Sequence, residues 1–527
     1  MPCLNRKRTS TALLVLAAFI TSVVAAAADQ PQWGQRDSRN MVSDETGLPV
    51  WFEPGQRAAD GNIDPATTGN VRWVAQLGNT TYGTPIVAAG KVFVGTNNEN
   101  PRDPRLQGDR GVLMCFDEKT GEFLWQLVVP KLEKVKWADW KYIGLTSPVT
   151  VEGDRVYVVT NACEVVCLDV EGLRNGNDGP FTDEGRHMVP EDQPPVEPGP
   201  RDGDILWCYD MNARLNVEPH NASNSAVLVV GDYLYVNTSN GVEWTHMYVV
   251  HPEAPSVIVL NKHTGELVAR DDFAIGPDIT HGQWSSIARG NVGGRWLGFF
   301  GAGNGFLYAF EMLDPENRPA ASPAGVSLLA NVWKFHGHPL AQTQDVVPPD
   351  HQHDSTSYQV TAMPVFYKDR IYVAFTQEPY HKMKEGWLVC IDATQTGNVT
   401  RSALNWAHCE LGSSASTVAI ADGLVYAVDF LGGRLVCLDA ETGEVCWSHD
   451  VGGPVSASPL VVDGHVYLGT CQTEFWVFKA GPEPKVVSQI RIRDKIASTA
   501  TAAGGTLFLA TYRHLYAIEE QKEGPSE

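Results

Sequence analysis

A short apolar run closed by a polar residue recurs eight times along this chain. The copies end at residues 117, 169, 261, 311, 392, 439, 479 and 519, and the last three ends lie 40 residues apart. Each copy follows a strand–turn–strand pattern such as SPLVVDGHVYLGT (Ser458–Thr470), in which an Asp-Gly pair marks a hairpin turn. A period of about 40 residues with four strands is typical of a β-propeller blade. The sequence therefore predicts an all-β, eight-bladed propeller of four-stranded antiparallel blades.

Two other positions recur beside this run. A turn of the form Asp/Asn-x-x-Thr-Gly-Glu follows three of the copies, and a tryptophan lies in the fourth strand of most blades. The Asp or Asn accepts backbone amides, and glycine takes the left-handed conformation that such a turn needs. Because these residues repeat, we interpret the carboxylates as turn residues rather than catalytic groups, and the tryptophans as packing between blades. The predicted structural residues are Trp73, Trp125, Trp207, Trp333, Trp406, Trp447, Asp117, Gly121, Gly265, Asp439 and Gly443.

The eighth repeat lacks a fourth strand, since only a polar tail, residues 521–527, follows it. Val71–Val74 carries Trp73 at the tryptophan position and has no earlier strand of its own. Pairing this segment with the last blade would remove the free edge of an open ring. We therefore predict that an N-terminal strand closes a propeller spanning residues 71–520, and that residues 29–70 form an extended leader wrapped around its outside.

The first 28 residues have the pattern of an export signal. Arg6, Lys7 and Arg8 precede an apolar stretch that ends in an alanine run, Ala25–Ala28. Cleavage there predicts a periplasmic or secreted protein, and the alternative is an uncleaved membrane anchor. Nothing downstream resembles a transmembrane span. Cleavage would make the net charge more negative than the −22 of the full chain, which argues against nucleic-acid or anionic-membrane partners.

The cysteines follow the repeat rather than a disulfide framework. Four of the ten, Cys115, Cys167, Cys390 and Cys437, occupy the same position of the repeated run. This predicts small buried side chains in strand interiors, and most cysteines are expected to be free thiols. Neither a C-x-x-C pair nor a C-x-x-C-H haem-attachment motif occurs.

Irregular spacing in the first five blades indicates where loops are inserted. The longest interruptions are Gly172–Gly203, Val242–Pro255, Asp314–Ala330 and His336–Gln359. Insertions on a rigid repeat scaffold commonly carry binding residues, so a functional face is expected toward blades two to five.

Polar and aromatic residues just before the first strands are expected to converge on the central funnel. They are Tyr82, His220, Asn224, His281, Gln283, Trp284 and Tyr358. They could hold a small polar ligand or a metal, or line a water-filled channel. A second candidate is a metal site in the last insertion, because its histidines have spacings found in Zn or Cu sites; solvent exposure of the same loop is the alternative. These histidines are His336, His338, His351 and His353.

The D-x-x-T-G-E turns followed by tryptophan resemble the pyrroloquinoline quinone (PQQ)-repeat propellers. That resemblance covers Val71–Glu519 and implies the fold. The family joins quinoprotein alcohol and glucose dehydrogenases with the non-catalytic BamB-like propeller of outer-membrane assembly. The segments TSNGVEWTH (Thr238–His246) and HGQWSS (His281–Ser286) also resemble a large exported subgroup of these propellers that has no settled activity.

The enzymes of this family place restrictions on the sequence. PQQ chemistry there needs Ca²⁺ held by Glu, Asn and Asp, a carboxylate base and, in alcohol-oxidising members, a disulfide of adjacent cysteines. No two cysteines are adjacent here, and no convincing calcium-binding set is recognisable. The leading hypothesis is an exported binding or scaffold module for an envelope protein or small ligand. The alternative is a PQQ- and calcium-dependent dehydrogenase that oxidises alcohols or sugars.

Overall fold

The computed structural model describes residues 29–132, 137–313, 325–344, 358–377 and 385–520. Eight four-stranded antiparallel sheets follow one another as blades, so the predicted eight-bladed propeller is confirmed. Among the described residues, no helix combines the length and apolar character needed to cross a membrane.

The first four blades each follow chain order from the first strand to the fourth. Blade one consists of Ile86–Ala88, Lys91–Asn97, Arg110–Asp117 and Phe123–Pro130. Blade two consists of Thr150–Glu152, Arg155–Val159, Glu164–Asp169 and Ile205–Asp210. Blade three consists of Leu228–Val230, Tyr233–Asn237, Val257–Asn261 and Leu267–Arg270. Blade four consists of Ala288–Val292, Arg295–Gly301, Phe306–Glu311 and Asn331–His336.

The last four blades repeat the same arrangement. Blade five consists of Val365–Tyr367, Arg370–Thr376, Gly386–Asp392 and Leu404–His408. Blade six consists of Ala419–Ala421, Leu424–Asp429, Arg434–Asp439 and Val445–Asp450. Blade seven consists of Leu460–Val462, His465–Gly469, Glu474–Lys479 and Val486–Arg491. Blade eight consists of Thr501–Ala503, Thr506–Ala510, His514–Ile518 and, from the N-terminal part of the chain, Val71–Gln76.

Short elements decorate this ring. Two-residue strands add in parallel to blades three, four and seven: Ser327–Leu328, Gly397–Asn398 and Val42–Ser43. A separate hairpin pairs Glu53–Arg57 with Ile63–Gly69. Within the described ranges, the helices are α1 (Glu184–His187), α2 (Met211–Leu215) and three 3₁₀ turns, Gly172–Arg174, Gly276–Asp278 and Pro339–Gln342.

The predicted closure of the ring is confirmed. Val71–Gln76 pairs antiparallel with His514–Ile518, with Trp73 opposite Ala517. Trp73 then reaches blade one, where its Nε1–H donates to the carbonyl oxygen of Glu118 at 3.0 Å. One sheet therefore joins the two ends of the propeller sequence.

The tryptophan of a fourth strand packs on the turn of the next blade. Trp406 in blade five donates Nε1–H to Ala440 O at 3.0 Å, and its ring lies over Gly443 of blade six. A Cβ atom at Gly443 would come within 2.5 Å of the ring, and its φ of 73° is left-handed, so glycine is needed for two reasons. Equivalent pairs are Trp73 with Gly121 and Trp207 with Gly265. Trp125, Trp333 and Trp447 donate to the next blade in the same way.

The aspartates of these turns serve the backbone. Asp117 Oδ1 accepts the amides of Lys119 and Thr120 and the Thr120 hydroxyl at 2.8 to 3.1 Å. Partial burial opposes ionisation of Asp117, but these hydrogen bonds outweigh it and lower the pKa. Asp439 repeats the pattern with Glu441 and Thr442.

A chain of hydroxyl contacts links the blades close to the axis. The residue two positions before the first strand donates its amide to a Ser or Thr hydroxyl at the same position of the next blade. The successive bonds run from Met363 to Thr417, from Thr417 to Ser458, from Ser458 to Thr499 and from Thr499 to Thr84. Ala226 donates to Ser286 in the same manner. These bonds satisfy amides where the blades crowd together.

Strand direction alternates within each blade, so the connections fall into two sets at opposite ends of the ring. The loops between blades and those joining second to third strands form what we call the loop end. The opposite end carries the connections joining first to second and third to fourth strands and also receives the leader, and we call it the leader end.

Residues 30–45 of the leader run around the axis and contact every blade. Backbone hydrogen bonds join the leader to blades one, two, four, five and seven, through Gln30–Val87, Pro31–Val151, Asp37–Arg289, Ser38–Phe366 and Met41–Val461. The side chains of Arg39, Asn40 and Glu45 reach blades three, six and eight. The prediction that the whole leader wraps the outside is therefore wrong for these residues. Its later part does lie outside, where Val50 O accepts the hydroxyl of Ser488 on an outermost strand.

Residues 30–45 form what we call the plug, and Arg39 is at its centre. Its side chain is fully buried and donates to Ile287 O and Ala226 O at 2.9 Å and to Trp33 O at 3.0 Å. Burial lowers the pKa of the guanidinium to about 10, against a smaller opposing effect of Asp37. Three carbonyls from two blades and the leader are thus bound by one cation, which ties the leader to the ring.

The four cysteines of the repeated run are buried in strand interiors as predicted, and their exposed fraction is 0%. The nine cysteines from Cys115 to Cys471 are free thiols in the described part of the chain. The predicted signal peptide and the polar tail, residues 521–527, lie outside the described residues.

Candidate functional site

Three histidines meet at the loop end between blades three and four. His220 lies in the loop that enters blade three, His246 in the loop joining its second and third strands, and His281 in the loop that enters blade four. One ring nitrogen from each lies within 4.8 Å of the others. His220 and His281 are buried, with 2% and 5% of their surface exposed, and His246 is half-buried.

The orientation of His220 follows from one hydrogen bond. Its Nδ1 lies 2.9 Å from the carbonyl oxygen of Val242, which can only accept, so Nδ1 carries the proton. The lone pair of the neutral ring is then on Nε2, which lies 3.0 Å from Nε2 of His246. The ring of His246 stacks on that of His281 with centroids 4.8 Å apart. One ring nitrogen of each of the three histidines therefore lies close to a ring nitrogen of the other two.

Buried amide side chains hold the loops that carry these histidines. Gln283 donates to Asn240 O at 2.9 Å and to the Ser256 hydroxyl at 3.0 Å, while Asn237 donates to Gln283 O at 2.8 Å. Gly241 lets the His246 loop approach His220, because a Cβ atom there would be 2.7 Å from the His220 Cβ. The donors are thus positioned by a network rather than by one flexible loop.

Several predicted funnel residues are brought together here. His220, His281, Gln283, Trp284 and Asn224 share this wall: Asn224 Nδ2 donates to Trp284 O at 3.4 Å, and the Trp284 ring lies 5.4 Å from His281. Tyr82 and Tyr358 stand elsewhere on the loop end.

Tyr82 lies between blades eight and one, where its hydroxyl is 3.1 Å from that of Tyr512. Tyr358 lies at blade five and donates its hydroxyl to Glu385 at 3.1 Å. Burial, reinforced by the Glu385 charge, raises the pKa of Tyr358 to about 12. The predicted set is therefore divided among three positions around the funnel.

Sequence reasoning missed His246 as a member of the site. It falls inside the Val242–Pro255 insertion, twenty-six residues after His220. The available signal was a histidine within an insertion that neighbours two funnel histidines. No spacing rule connects the three, because their loops belong to two blades.

The second predicted histidine group is only partly described. His351 and His353 lie outside the described residues, so a metal site made of all four histidines stays a prediction. His336 and His338 have ring centroids 6.3 Å apart, and each Nδ1 accepts a backbone amide, from His338 and Leu340 respectively. Burial, with His338 and Lys334 nearby, lowers the pKa of His336 to about 4.

A further cluster lies on blade two. His187 in α1 is 3.0 Å from Glu164 Oε2, and Cys208 shares the group. Burial opposes ionisation of Glu164, but His187 and the hydroxyl of Thr160 outweigh it, so the pKa of Glu164 is lowered. Burial similarly works against a charged His187, and the Glu164 charge raises the pKa of His187 nevertheless. This pair fastens the Gly172–Gly203 insertion to its blade.

Comparison with known proteins agrees with the fold. A family model described as outer membrane protein assembly factor BamB matches residues 109–274 and 384–482, about half of the chain. The chain belongs to this family of PQQ-like propellers. No curated protein matches it in sequence.

Several solved structures are similar to this chain at low sequence identity. A europium-containing methanol dehydrogenase is 11% identical with a TM-score of 0.55, covering 91% of this chain and 89% of that one. BamB from Moraxella catarrhalis is 12% identical with a TM-score of 0.48, covering 86% and 100%. A quinohemoprotein alcohol dehydrogenase from Comamonas testosteroni is 14% identical with a TM-score of 0.46, covering 95% and 82%. At these identities the likeness concerns the fold alone.

Proposed function

We propose that this chain is an exported binding propeller that takes its ligand at the loop end, on the wall of blades three and four. The observation that carries the proposal is the convergence of His220, His246 and His281 from three loops onto one place. Pockets with a few convergent polar groups among aromatic side chains are the usual form of a ligand site. The N-terminal pattern of residues 1–28 supports export.

Exposed aromatic rings surround this wall. Trp137 and Trp140 stack with centroids 4.9 Å apart, and their loop exchanges backbone hydrogen bonds with Asn221, the neighbour of His220. Trp244 and Tyr248, beside His246, are about half exposed. Large exposed aromatic side chains are favourable contact surfaces for a ligand. Binding removes their apolar surface from water, and their rigid rings lose little conformational entropy.

The leader end favours the same location. Residues 30–45 cover the axis there and contact all eight blades. A ligand approaching that end would have to displace Arg39 from three carbonyls. The loop end has no equivalent plug among the described residues.

The alternative, a PQQ- and calcium-dependent dehydrogenase, fits this wall poorly. Calcium prefers carboxylate and amide oxygens. Gln283 Oε1 and Asn240 Oδ1 already accept the backbone amides of Gly303 and Glu218. In the described part of the chain, no carboxylate joins the three-histidine group. The three-histidine group therefore offers nitrogen donors without a carboxylate, and the side-chain oxygen of Asn224 is a buried amide oxygen on this wall that accepts no hydrogen bond. A calcium ion that holds the quinone would need carboxylate oxygens as well.

The test is to detect the ligand and map it to this wall. The protein is exported by its own N-terminal segment, and the mass of the purified product is measured by native and by denaturing mass spectrometry. A noncovalent ligand adds mass only in the native spectrum. We expect a noncovalent adduct that Trp284→Ala abolishes, because Trp284 lies beside His281, whereas Trp51→Ala, an exposed tryptophan on the leader, retains it.

A second arm addresses the alternative function. The protein is incubated with PQQ and Ca²⁺, and dye reduction is followed with methanol and glucose. Turnover in this assay would support the dehydrogenase and contradict our proposal. An adduct that survives Trp284→Ala, or no adduct at all, would remove the support for a ligand site on this wall.

A further inference from the structure

We propose that His220, His246 and His281 form a site for a borderline divalent transition metal such as Zn²⁺ or Cu²⁺, with one coordination position left for the bound ligand. This inference rests on the proposed function, because it names the means by which the loop end would hold its ligand. Neutral imidazoles are common ligands of these metals, and the cluster contains three.

The distances suit such an ion. Three nitrogens at 2.0–2.1 Å from a tetrahedral zinc lie about 3.3 Å from one another. The observed separation of His220 and His246 Nε2 is 3.0 Å, and all three donors lie within 4.8 Å. Small rotations of the side chains would bring the three atoms onto one ion without moving the blades.

The hydrogen bond of His220 is the kind that metal-binding histidines make. A ligand histidine usually donates its other N–H to a carbonyl or carboxylate, which sets the tautomer and aims the lone pair. His220 donates Nδ1–H to Val242 O at 2.9 Å, and Val242 belongs to the same insertion as His246. One contact therefore both orients His220 and ties it to the loop of a second ligand.

The number of protein ligands indicates that one coordination position of the metal would be open. In the described part of the chain, no fourth histidine, cysteine or carboxylate joins this group. Three protein ligands with one remaining position are typical of metal sites that bind water or substrate rather than of closed structural sites. The open position would accept a donor atom of the ligand, such as a carboxylate oxygen.

The test is metal binding by the mature chain after removal of metal with a chelator. Zn²⁺ is added in a calorimetric titration, and Co²⁺ is used in parallel because its visible absorption reports tetrahedral coordination. We expect one ion per chain, and azide should change the Co²⁺ spectrum by occupying the open position.

His246→Asn is the informative variant. His246 has a φ of 62°, and asparagine tolerates this left-handed backbone, so the loop is retained while the imidazole is lost. Mutating a residue that only supports a metal ligand typically weakens metal binding about 10–100-fold. Loss of a ligand itself should cost at least as much, so we expect Zn²⁺ binding to weaken about 100-fold or more. The matched control is His251→Ala, a histidine of the same insertion that faces Glu218 and Glu253 instead.

Two results would overturn the inference: wild-type protein that binds no metal, or a His246→Asn variant that binds as tightly as the wild type. Because the titration needs no organic ligand, it can succeed even if no adduct is found by mass spectrometry. Conversely, an adduct that depends on Trp284 without any bound metal would leave the proposed function standing and remove the metal.

Discussion

The two ends of the central channel bury polar groups for opposite purposes. In the leader, Arg39 is fully buried and donates to the backbone carbonyls of Ile287, Trp33 and Ala226 and to the side-chain oxygen of Gln32. At the loop end, the rings of His220, His246 and His281 contact one another. The first arrangement holds a segment of the protein in place, and the second groups three imidazoles where we propose that an ion or ligand binds.

This difference shows where the scaffold permits variation. At the leader end, the turns joining first to second strands are short, and the Trp–Gly contacts constrain several turns that join third to fourth strands. Two insertions of the sequence, Gly172–Gly203 and Asp314–Ala330, also join third to fourth strands and therefore belong to this end. Loops at the loop end include the Val242–Pro255 insertion, which contributes a third histidine without disturbing the sheet. Substitutions in the leader and in the Trp–Gly turns should therefore cost stability, whereas substitutions of the three histidines should cost binding.

Deleting residues 29–77 is the most severe way to break the leader end. It removes the plug and also the strand that completes blade eight, so we expect a loss of several kcal/mol against a net stability of about 5–15 kcal/mol. Deleting only residues 29–61 keeps that strand but removes contacts to all blades, and an intermediate loss is expected. Thermal unfolding of both truncations beside the chain that begins at residue 29 measures this. Equal stability of all three would contradict the closure.

Arg39→Met tests the plug without shortening the chain. Methionine fills similar space but leaves buried carbonyls of Ile287 and Ala226 without their donor, so we expect a loss of about 2–4 kcal/mol. Urea unfolding measures the free energy.

Two control variants show whether the stability loss of Arg39→Met is specific to the plug. Arg36→Met removes an exposed arginine of the leader that pairs with Asp44, and should cost less than about 0.5 kcal/mol. His246→Asn at the loop end should also change the stability by less than about 1 kcal/mol. A loop-end loss as large as that of Arg39→Met would erase the distinction between the two ends.

Gly443→Ala separates the two reasons for glycine in the repeated turn. The methyl group of the alanine would approach the Trp406 ring to 2.5 Å, and the alanine backbone would have to keep the left-handed φ of 73°. We expect a loss of about 2–4 kcal/mol. Gly423→Ala has a similar φ of 79° with no atom within 4 Å, and should cost only about 1–2 kcal/mol for the backbone. Equal losses in thermal unfolding would show that the tryptophan contact contributes nothing.

The smallest effect concerns the His187–Glu164 pair, which ties the insertion to blade two. The pKa of His187 is raised, so its contribution to stability is complete below the unfolded pKa of about 6.5 and is lost as the pH rises through the folded value. The lowered pKa of Glu164 preserves the pair until the pH falls below that group's ordinary range. The difference in Tm between wild type and His187→Gln should therefore shrink from pH 6 to pH 9. A difference that grows over this range would contradict the ion pair.

Much of the fold could be predicted because its determinants repeat. The eight apolar runs, the turn residues and the position of Trp73 each follow from local rules, and the closing strand follows from counting. The path of the leader could not be predicted. Residues 30–45 have no periodicity, and their hydrogen bonds go to strands up to several hundred residues away in sequence, as in the bond of Asn40 to Ile420.

The candidate site divides in the same way. His220, His281, Gln283 and Trp284 precede first strands, and the convergence of such positions follows from the repeat. His246 does not precede a first strand, so nothing local distinguishes it from His251 or His263.

The sequence by itself determined the all-β propeller, its blade count and the segment that closes it, because strand period, turn chemistry and blade length are local properties of a repeated pattern. Only the tertiary structure decided which end of the channel the leader covers and which three histidines meet at the other. Those contacts join residues from different blades, and their distances depend on how the blades pack around the axis rather than on spacing along the chain.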